Sequence, residues 1–379
     1  MIRVLQFADV TNRYDFIDNI VQRADRDQFE IGVCMRSSAS HIEAPVYADD
    51  TPRWVLNGTS RRQIPRAAYQ LAHLLRRWRA DILHTHLYDE AVIGWLATRI
   101  YPKTRLVVGR HYSDSIYRST TGVKRKTLLA LEQMVNRAAA RIVVPSTYIR
   151  DILTRWQGID PTKVDLVPYG FVPEKYVPPH SDGVRRLRSE LGLEGGFVLG
   201  NFGRLHEEKG QRFLIEAMED LHARFPQIVL LIAGEGPERA SLENQIRDAD
   251  LGDVIRLLGW RRDAMTLMAA VDAVVQPTLQ EAFSQVMAEA LWMGKPLVIT
   301  KVSGATDIIC DSQNGLLVPK EDPQALTEAI ERLVRDDQLR EKLATNGRHY
   351  VTQNLQIGDI ILQYQNSYKR SFGRIRRHE

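Results

Sequence analysis

Residues 197–218, FVLGNFGRLHEEKGQRFLIEAM, contain the unit from which the fold of this chain can be inferred. The apolar run FVLGNFG predicts a strand, and the apolar residues of QRFLIEAM recur at steps of three and four, which predicts a helix. A polar turn, RLHEEKG, lies between the two. A strand, a turn and a helix in this order are typical of a parallel β-sheet that is covered by helices.

The same alternation runs along most of the chain. Helical patterns such as those of residues 64–78 and 124–140 lie between short apolar or β-branched runs. In the first half we predict strands at IRVLQF, FEIGVC, DILHTH, RLVVGR, RIVVPS and KVDLVP. In the second half we predict them at FVLGNFG, IVLLIAG, VIRLLGW, AVVQPT, PLVIT and GLLVP. The fold class is therefore α/β, with doubly wound parallel sheets.

The chain length indicates two domains, because 379 residues are too many for one ordinary core. The stretch YGFVPEKYVPPHSDG is rich in proline and glycine and falls between the two α/β halves. We therefore predict an N-terminal Rossmann-like domain over residues 1–172 and a linker over 173–190. A second Rossmann-like domain follows over residues 191–353, and a C-terminal helix over 354–379.

The charge balance is slightly basic, with 51 lysines and arginines against 47 aspartates and glutamates and a net charge of +4. Much of the excess is gathered in four clusters, RR at 61–62, RRWR at 76–79, KRK at 124–126 and GRIRRHE at 373–379. Such clusters favour an anionic membrane surface, and solvated helix faces are the alternative. Aromatic residues do not alternate with the basic ones, so we predict no nucleic-acid partner.

Cysteine usage and hydropathy indicate the compartment. Cys34 and Cys310 are far apart in the sequence and give neither a disulfide framework nor a zinc-ligand spacing. No stretch has the roughly 18 apolar residues of a membrane span. We expect a cytoplasmic protein, with peripheral attachment to the inner face of a membrane as a hypothesis.

Two cations follow the strand that ends near residue 203. Arg204 comes directly after it, and Lys209 stands where the next helix opens. The free N–H groups and the dipole of a helix N-terminus favour negative charge, so this pair suits a diphosphate. Solvated surface charges in a polar turn are the alternative.

The segment QEAFSQVMAEALWMGKP, residues 280–296, carries two carboxylates, Glu281 and Glu289. Ser284 is a natural N-cap, which predicts a helix from about Gln285 to Trp292. A continuous helix would separate the two acids by about 12 Å, too far for the pair about 5 Å apart that serves retaining glycoside hydrolysis. We interpret them as holding two ends of one long ligand, because a carboxylate on a mostly apolar helix needs partners. Ordinary surface acids are the alternative.

Other functional candidates also follow predicted strands. Gly234 lies in the turn after IVLLIAG, and Trp260 lies at the tip of VIRLLGW, where a base could stack. In the first half, His111 follows RLVVG, while HTHLYDE supplies His86 and Tyr88. The two histidines of HTH have no acidic or cysteine partner at metal-ligand spacing, so we predict no metal site.

In their order and spacing these motifs resemble glycosyltransferase family 4, retaining enzymes of the two-Rossmann-domain (GT-B) fold. The resemblance runs through nearly the whole chain and is strongest over residues 197–330. It rests on GRL..EKG, AGEGPE, the E-x7-E motif EAFSQVMAE and NGLLVP, with DILHTH, the tip containing His111 and RIVVPS matching more loosely. It implies two domains facing a central cleft, and a C-terminal helix that packs back on the N-terminal domain.

The resemblance also implies the donor, a nucleotide-diphosphate sugar such as a UDP- or GDP-sugar. Arg204 and Lys209 would bind its diphosphate, Glu289 its ribose and Glu281 its sugar, while His111 would meet the sugar from the first domain. The remaining donor-binding residues would be Gly203, Phe283, Ser284, Gly234 and Trp260. Retention would proceed by front-face attack, in which a donor phosphate oxygen takes the acceptor proton, and neither a metal nor another cofactor is implied.

The chain departs from the family in the loop after the first strand. The family has a glycine-rich loop there, whose backbone approaches the donor and the acceptor, whereas FADVTNRYDF contains no glycine. We therefore expect a reshaped acceptor site that uses Asn12, Arg13, His86 and Tyr88. The expected acceptor is a carbohydrate or a glycolipid of the cell envelope.

Two alternatives remain open from the sequence. A non-catalytic nucleotide-sugar-binding scaffold would account for the missing glycine loop, but it would not need Arg204, Lys209, Glu281 and Glu289 together. A sugar-nucleotide epimerase or a phosphorylase would have a similar two-domain shape. The E-x7-E spacing and the absence of a lysine-anchored cofactor motif disfavour the second alternative.

Overall fold

The computed structural model describes residues 1–9, 15–37, 50–58, 60–112, 120–176 and 179–373. The predicted acceptor residues Asn12 and Arg13 lie outside these ranges, as does most of the basic tail. The chain divides into two compact units, of which the first combines Met1–Gly170 with Ile357–Glu379 and the second is Phe171–Gln356.

The first unit is built on a parallel sheet. Its strands are β1 (Ile2–Asp9), β2 (Phe29–Ser37), β3 (Arg53–Asn57), β4 (Ile82–His86), β5 (Arg105–Gly109), β6 (Arg141–Val144) and β7 (Val164–Leu166). Within the described residues these seven strands have the order β3-β2-β1-β4-β5-β6-β7. Strands β4 and β6 are buried along their whole length, which explains their continuous apolar runs, whereas the edge strand β3 is largely exposed.

Helices connect these strands and cover the sheet. They are α1 (Asp15–Arg23), α2 (Ile64–Trp78), α3 (Tyr88–Ile100), α4 (Gly122–Ala138) and α5 (Thr147–Asp151), which continues into a π-helical turn over Ile152–Trp156. The strong amphipathic pattern of α2 arises because Leu71 and Leu75 pack inward while Arg76 and Arg77 face solvent.

The second unit repeats the architecture. Its strands are β8 (Phe197–Phe202), β9 (Ile228–Ala233), β10 (Ile255–Gly259), β11 (Ala273–Gln276), β12 (Leu297–Thr300) and β13 (Leu316–Val318). In the part of this unit that the structure describes, the order is β10-β9-β8-β11-β12-β13, and all the pairings are parallel. Both sheets therefore follow the doubly wound pattern, with a reversal between the first and fourth strands.

The helices of the second unit enclose its core. They are α6 (Ser181–Glu190), α7 (Gln211–Arg224), α8 (Arg239–Asp248), α9 (Ala264–Ala270), α10 (Gln285–Trp292), α11 (Ala305–Ile308), α12 (Pro323–Arg335) and α13 (Asp337–Asn354). Helix α6 lies inside the segment predicted as a linker. Its Arg188 donates a 2.5 Å hydrogen bond to the carbonyl of Ala270, so this part of the segment is folded with the second unit.

The last helix, α14 (Ile357–Gly373), returns to the first unit, as predicted for the C-terminal helix. The buried carboxylate of Asp165, at the middle of β7, holds it in place. Asp165 accepts hydrogen bonds of 2.7 Å from Ser367 and 2.6 Å from Arg370 of the helix, and one of 2.8 Å from Arg141 of β6. One carboxylate thus joins two strands to the end of the chain.

Replacement of Asp165 by alanine should loosen this attachment. The buried guanidinium of Arg141 would lose its partner, and breaking a buried pair in this way costs about 3 kcal/mol or more of unfolding free energy. Urea unfolding measures the loss, and hydrogen exchange at residues 357–373 should rise. Asp359→Ala, which removes an exposed acid from the first turn of α14, is the matched control and should cost about 1 kcal/mol or less. Equal effects of the two variants would contradict the role of Asp165.

Candidate active site

The predicted donor residues of the second unit follow strands at the carboxyl edge of its sheet. Strands β8 and β11 are neighbours, and the strand order reverses between them. The loops after two such strands separate at this point, which makes the carboxyl edge the usual ligand site of a doubly wound sheet. Arg204 lies in the loop after β8, and Glu281 lies in the loop after β11.

Gly203 and Gly234 hold the loops after β8 and β9 against each other. The amide of Gly203 donates to the carbonyl of Ala233 at 3.0 Å, and the amide of Gly234 donates to that of Gly259 at 2.9 Å. Gly234 has a φ of +156°, and a Cβ at this position would lie 1.8 Å from the carbonyl oxygen of Gly203. Position 234 therefore requires glycine, because any side chain would separate the two loops.

Lys209 and Glu281 form an ion pair. Lys209 ends a short 3-10 turn, Glu207–Lys209, and therefore lies just before α7 rather than in its first turn. Its ammonium donates to a carboxylate oxygen of Glu281, and the two side chains are only 17% and 21% exposed. The amide of Leu279 donates to the carbonyl of Glu208 at 2.8 Å, which fixes the loop of one residue to the turn of the other.

The side chain of Arg204 is held less tightly than that of Lys209. Its guanidinium pairs with Glu208 at 3.0 Å, and its side chain is 72% exposed. Its carbonyl accepts a 3.0 Å hydrogen bond from Gln211 of α7, so the backbone is fixed although the side chain is not enclosed. Because an exposed ion pair contributes little free energy, the guanidinium can turn toward an anion at small cost.

Helix α10 has the predicted bounds and the predicted cap. The Ser284 hydroxyl accepts a 3.2 Å hydrogen bond from the amide of Met287, and Phe283 and Ser284 are both buried. Glu289 is half-buried on the second turn. The estimate of about 12 Å between Glu281 and Glu289 does not apply, because only residues 285–289 of this span are helical and the rest is a loop.

Trp260 stands at the tip of β10 and is 68% exposed. The guanidinium of Arg262 lies 6.0 Å from its ring centroid. A large aromatic face of this kind, at the end of a strand, can stack on a planar group such as a nucleobase.

In the first unit, His111 follows β5 and contacts His86 from the end of β4. Its Nε2 is 2.9 Å from Nδ1 of His86, and its Nδ1 is 2.6 Å from the hydroxyl of Tyr169. Phe16 of α1 stacks on His111 with ring centroids 4.3 Å apart, and on Tyr169 at 5.3 Å. His111 is half-buried, and both of its ring nitrogens have partners within the unit.

The geometry corrects the prediction for His86. This residue is fully buried, and its Nε2 lies 2.9 Å from Oε1 of Gln6, so both ring nitrogens are engaged inside the unit. Burial lowers the pKa of His86 well below its ordinary value and lowers the pKa of His111 to about 3. Both imidazoles are therefore neutral near pH 7, and His86 holds His111 rather than touching an acceptor.

Tyr88 also has a partner inside the unit. Its hydroxyl donates a 2.9 Å hydrogen bond to the carbonyl of Leu128, and burial raises the pKa of this hydroxyl to about 12. Tyr88 thus joins α3 to α4. Among the residues that the structure describes, no group of three His, Cys, Asp or Glu side chains has an arrangement that could hold a metal ion.

Three residues near His111 were not identified from the sequence, namely Gln6, Phe16 and Tyr169. Gln6 is hidden in the apolar run of β1, and Phe16 looks like an ordinary core position of an amphipathic helix. Tyr169 was included in the proline-rich stretch that was interpreted as a linker. The polar Gln6 in an otherwise buried apolar strand was the one usable signal, because a buried amide needs partners.

Two family sequence models match this chain. The model described as "Glycosyltransferase Family 4" matches residues 16–175, and that described as "Glycosyl transferases group 1" matches residues 184–350. A D-inositol 3-phosphate glycosyltransferase of Xylanimonas cellulosilytica is 31% identical over 296 residues, which are 73% of this chain and 69% of the relative. The chain belongs to glycosyltransferase family 4.

Other relatives of this glycosyltransferase agree with the assignment. An Escherichia coli enzyme named UDP-Gal:alpha-D-GlcNAc-diphosphoundecaprenol alpha-1,3-galactosyltransferase is 26% identical over 344 residues, covering 87% of this chain and 86% of the relative. The crystal structure of Anabaena HepE in complex with UDP superposes with a TM-score of 0.82 and 22% identity, covering 97% and 100% of the two chains. The fold is GT-B, as predicted. No helix among the described residues of the glycosyltransferase is long and apolar enough to cross a membrane.

Acid should destabilise the glycosyltransferase through its buried neutral histidines. The unfolded chain binds a proton on each histidine near pH 6.5, whereas folded His111 does so only near pH 3. Unfolding free energy is therefore lost as the pH falls from about 6.5 toward 3, by about 1.4 kcal/mol per pH unit for each histidine buried in this way. Urea unfolding between about pH 7.5 and 5.5 covers the window in which histidine rather than carboxylate titrates.

Two variants separate this effect from general acid sensitivity. His111→Gln should reduce the slope of unfolding free energy against pH by the amount that corresponds to about one proton. His180→Gln removes an imidazole that is 81% exposed and is the comparison for the loss of a histidine that is not buried. A parental slope of zero below pH 6.5 would contradict burial of the neutral form.

Proposed function

We propose that this glycosyltransferase moves a sugar, with retention, from a nucleotide-diphosphate sugar to a carbohydrate or glycolipid acceptor of the cell envelope. The observation that carries the proposal is the Lys209–Glu281 pair, in which an anion-binding and a hydroxyl-binding group stand side by side at the reversal point of the second sheet. Among the nucleotides we favour UDP, because the E. coli relative is named for UDP-Gal and HepE was crystallised with UDP.

The cations of this edge suit the diphosphate of the donor. Lys209 has little exposure and is positioned by the adjoining loops, while Arg204 can reach toward solvent and fold over a bound phosphate. Their main effect would come as the bond to the sugar breaks and negative charge grows on the leaving nucleotide. Binding of the diphosphate would offer Lys209 a second anionic partner beside Glu281.

The carboxylates suit the hydroxyl groups of the donor. Glu281, next to Lys209, would accept hydrogen bonds from the sugar, and Glu289, on the half-buried face of α10, would accept them from the ribose. The exposed ring of Trp260 would stack on the base. The donor would then lie along the carboxyl edge, from the base at β10 to the sugar near the loop after β11.

The chemistry needs no protein nucleophile. The acceptor oxygen forms its bond to the anomeric carbon on the face from which the diphosphate departs, and the bond between that carbon and the phosphate oxygen breaks. The acceptor proton passes to an oxygen of the departing phosphate.

Release of free nucleotide from UDP-, GDP- and ADP-sugars tests this proposal. The parental enzyme should release UDP. Lys209→Ala should lower kcat/KM about 100-fold or more, which is the usual effect of removing one group that stabilises the leaving charge. Glu281→Gln should bind UDP at least as tightly as the parent, because a competing carboxylate is gone, yet should turn over the UDP-sugar poorly.

A matched control lies at the other end of α7. Arg224→Ala removes a cation whose partner is Glu331, away from the carboxyl edge, and should keep the parental rate. Full activity in both Lys209→Ala and Glu281→Gln would overturn the site. Tight binding of UDP-sugar without turnover by the parental protein would instead favour the scaffold alternative.

The compartment and the membrane contact belong to the same proposal. The free thiol of Cys310 is exposed, which suits a reducing cytoplasm.

At the carboxyl edge of the first sheet, the starts of α2 and α4 present the exposed residues Arg61, Arg62, Val123 and Lys124. Tyr88 connects them, since Arg61 lies over its ring and its hydroxyl binds the carbonyl of Leu128. Cations around an exposed apolar side chain suit the anionic inner face of a membrane, where a lipid-linked acceptor would be found.

Vesicle co-sedimentation tests the membrane contact. Lys124→Glu with Lys126→Glu should weaken binding to phosphatidylcholine vesicles that contain phosphatidylglycerol by about 30-fold or more, at about 1 kcal/mol for each basic residue. Arg76→Glu with Arg77→Glu changes the same number of charges at the opposite end of α2 and should keep the parental binding. Binding that is independent of the anionic lipid would overturn this part of the proposal.

A further inference from the structure

A cavity of about 860 Å³ lies at the amino edge of the first sheet, at the opposite ends of the strands from His111. Its volume is within the range of sites for small molecules. Two arginines of the cluster RRWR at 76–79, for which the proposed function has no role, line it. We call it the basic cavity, and the polar side chains that define it are Tyr69, His73, Arg76, Arg79, Asp81 and Lys103.

The basic cavity lies between the C-terminal ends of two helices. Tyr69, His73 and Arg76 follow one another at steps of four and three, so they share one face of α2. Ala72, on the same face, is buried, and its side chain is too short to fill the space. The opposite wall is the end of α3 and the loop to β5, which supplies Lys103. The fold of the first unit alone therefore forms the cavity.

The positive charges of the basic cavity lack protein partners. None of Arg76, Arg79 and Lys103 forms an ion pair with a residue that the structure describes. The carboxylate of Asp81 is also in the lining, but it accepts a 2.8 Å hydrogen bond from the backbone amide of Arg3. Like charges around one space repel each other, and a ligand with several negative charges would relieve that repulsion.

Arg79 has a backbone conformation that most residues avoid. It ends α2 with a φ of +56° and a ψ of +49°, in the left-handed region that favours glycine. The helix end is fixed around it, since the amide of Ala80 donates to the carbonyl of Leu75 at 3.0 Å. Glycine is the usual residue at such a helix end. An arginine here thus costs conformational free energy while it places a cation on the cavity.

The dipole of α2 does not by itself account for this arrangement. Cations stabilise a helix C-terminus, and Arg76 and Arg77 both lie in the last turn of α2. Arg77 is exposed, but it does not line the basic cavity. The two neighbouring arginines therefore allow an effect of the cavity to be separated from an effect of helix charge.

We propose that the basic cavity binds an acidic oligosaccharide, which is a carbohydrate chain that carries carboxylate or phosphate groups. Arg76 and Lys103 lie on opposite walls, which suits several separate negative charges better than one compact anion. The ring of Tyr69 is 67% exposed and can pack against the apolar face of a sugar ring. The choice of a carbohydrate rests on the proposed function, in which the acceptor is a carbohydrate or a glycolipid of the cell envelope.

Calorimetric titration of the full chain with short oligogalacturonates tests the proposal. Their methyl esters are the matched uncharged ligands of the same length. The oligogalacturonate should bind, its ester should bind at least about tenfold more weakly, and a higher salt concentration should weaken the binding. Equal binding of the two ligands, or no binding of either, would overturn the proposal.

Two neighbouring variants locate the binding. Arg76→Ala should weaken binding of the oligogalacturonate about tenfold, which is the usual contribution of one charge-assisted hydrogen bond. Arg77→Ala removes the same charge from the same turn without changing the lining of the cavity, so it should bind like the parent. Equal losses in the two variants would mean that only the net charge of α2 matters, and would overturn the site.

Arg79→Gly separates binding from stability. It should weaken binding of the oligogalacturonate by a similar factor, because it removes a cation of the lining. The midpoint of urea unfolding should stay the same or rise, because glycine adopts the left-handed conformation without strain. A lower midpoint with unchanged binding would mean that the Arg79 side chain serves the fold, and would contradict its place in the site.

Other anions are distinguished by two further measurements. Tripolyphosphate, which carries charge but no sugar, should bind more weakly than the oligogalacturonate, and Tyr69→Ala should weaken binding of the oligogalacturonate alone. Tighter binding of tripolyphosphate would overturn the assignment to a carbohydrate. Loss of vesicle binding in Arg76→Ala would also overturn it, because the ligand would then be an anionic lipid.

The titrations contain no sugar donor, so their outcome does not depend on the proposed function. A parental protein that releases UDP from a UDP-sugar but binds no acidic oligosaccharide would overturn only the proposal for the basic cavity. A parental protein that binds the oligogalacturonate through Arg76 but releases no nucleotide would overturn only the proposed function.

Discussion

In each unit the strand order reverses between the first and fourth strands, and every strand runs in the same direction. The carboxyl ends of all strands then lie at one edge, and the loops that follow the two central strands part there. Each group assigned to the donor site, from Arg204 to Glu289, follows a strand at this edge of the second sheet. His111 occupies the equivalent edge of the first sheet. The topology therefore determines which residues can contribute to a ligand site, and the chemistry of each side chain determines what that residue can bind.

The two units differ in whether the polar groups at their carboxyl edges are charged. The second unit holds charged groups with partial exposure, since Lys209 and Glu281 are about one-fifth exposed and Arg204 is mostly exposed. The first unit buries neutral imidazoles, and burial lowers the pKa of His111 to about 3. Charged groups with partial exposure suit the diphosphate of a nucleotide sugar, which is the part that the proposed function assigns to the second unit. The diphosphate is anionic and gains charge as it leaves, whereas the sugar is neutral and is recognised by the direction of its hydrogen bonds.

Much of the fold could be predicted from the sequence. The apolar runs predicted all the interior strands because parallel strands that are covered on both faces have little polar surface. They missed β3, which is largely exposed at the edge of the sheet and whose sequence RWVLN has only three apolar residues between polar ones. Ser284 predicted the start of α10 correctly because capping is local chemistry. The distance from Glu281 to Glu289 could not be estimated, because it depends on a loop whose path is set by contacts with the turn of Lys209.

The same limit explains why the partners of the histidines in the first unit could not be predicted. The sequence shows HTH in β4 and the histidine after β5, but their hydrogen-bond partners come from β1, from the segment after β7 and from the last helix of the chain. Gln6 and Tyr368 are 362 positions apart, and no local pattern joins them. Once the fold brings them together, the Gln6 amide donates to the Tyr368 hydroxyl, so each of these two buried polar groups has a partner. The C-terminal helix thus does more than cover the sheet, because its Tyr368 hydroxyl contacts both Gln6 and His84.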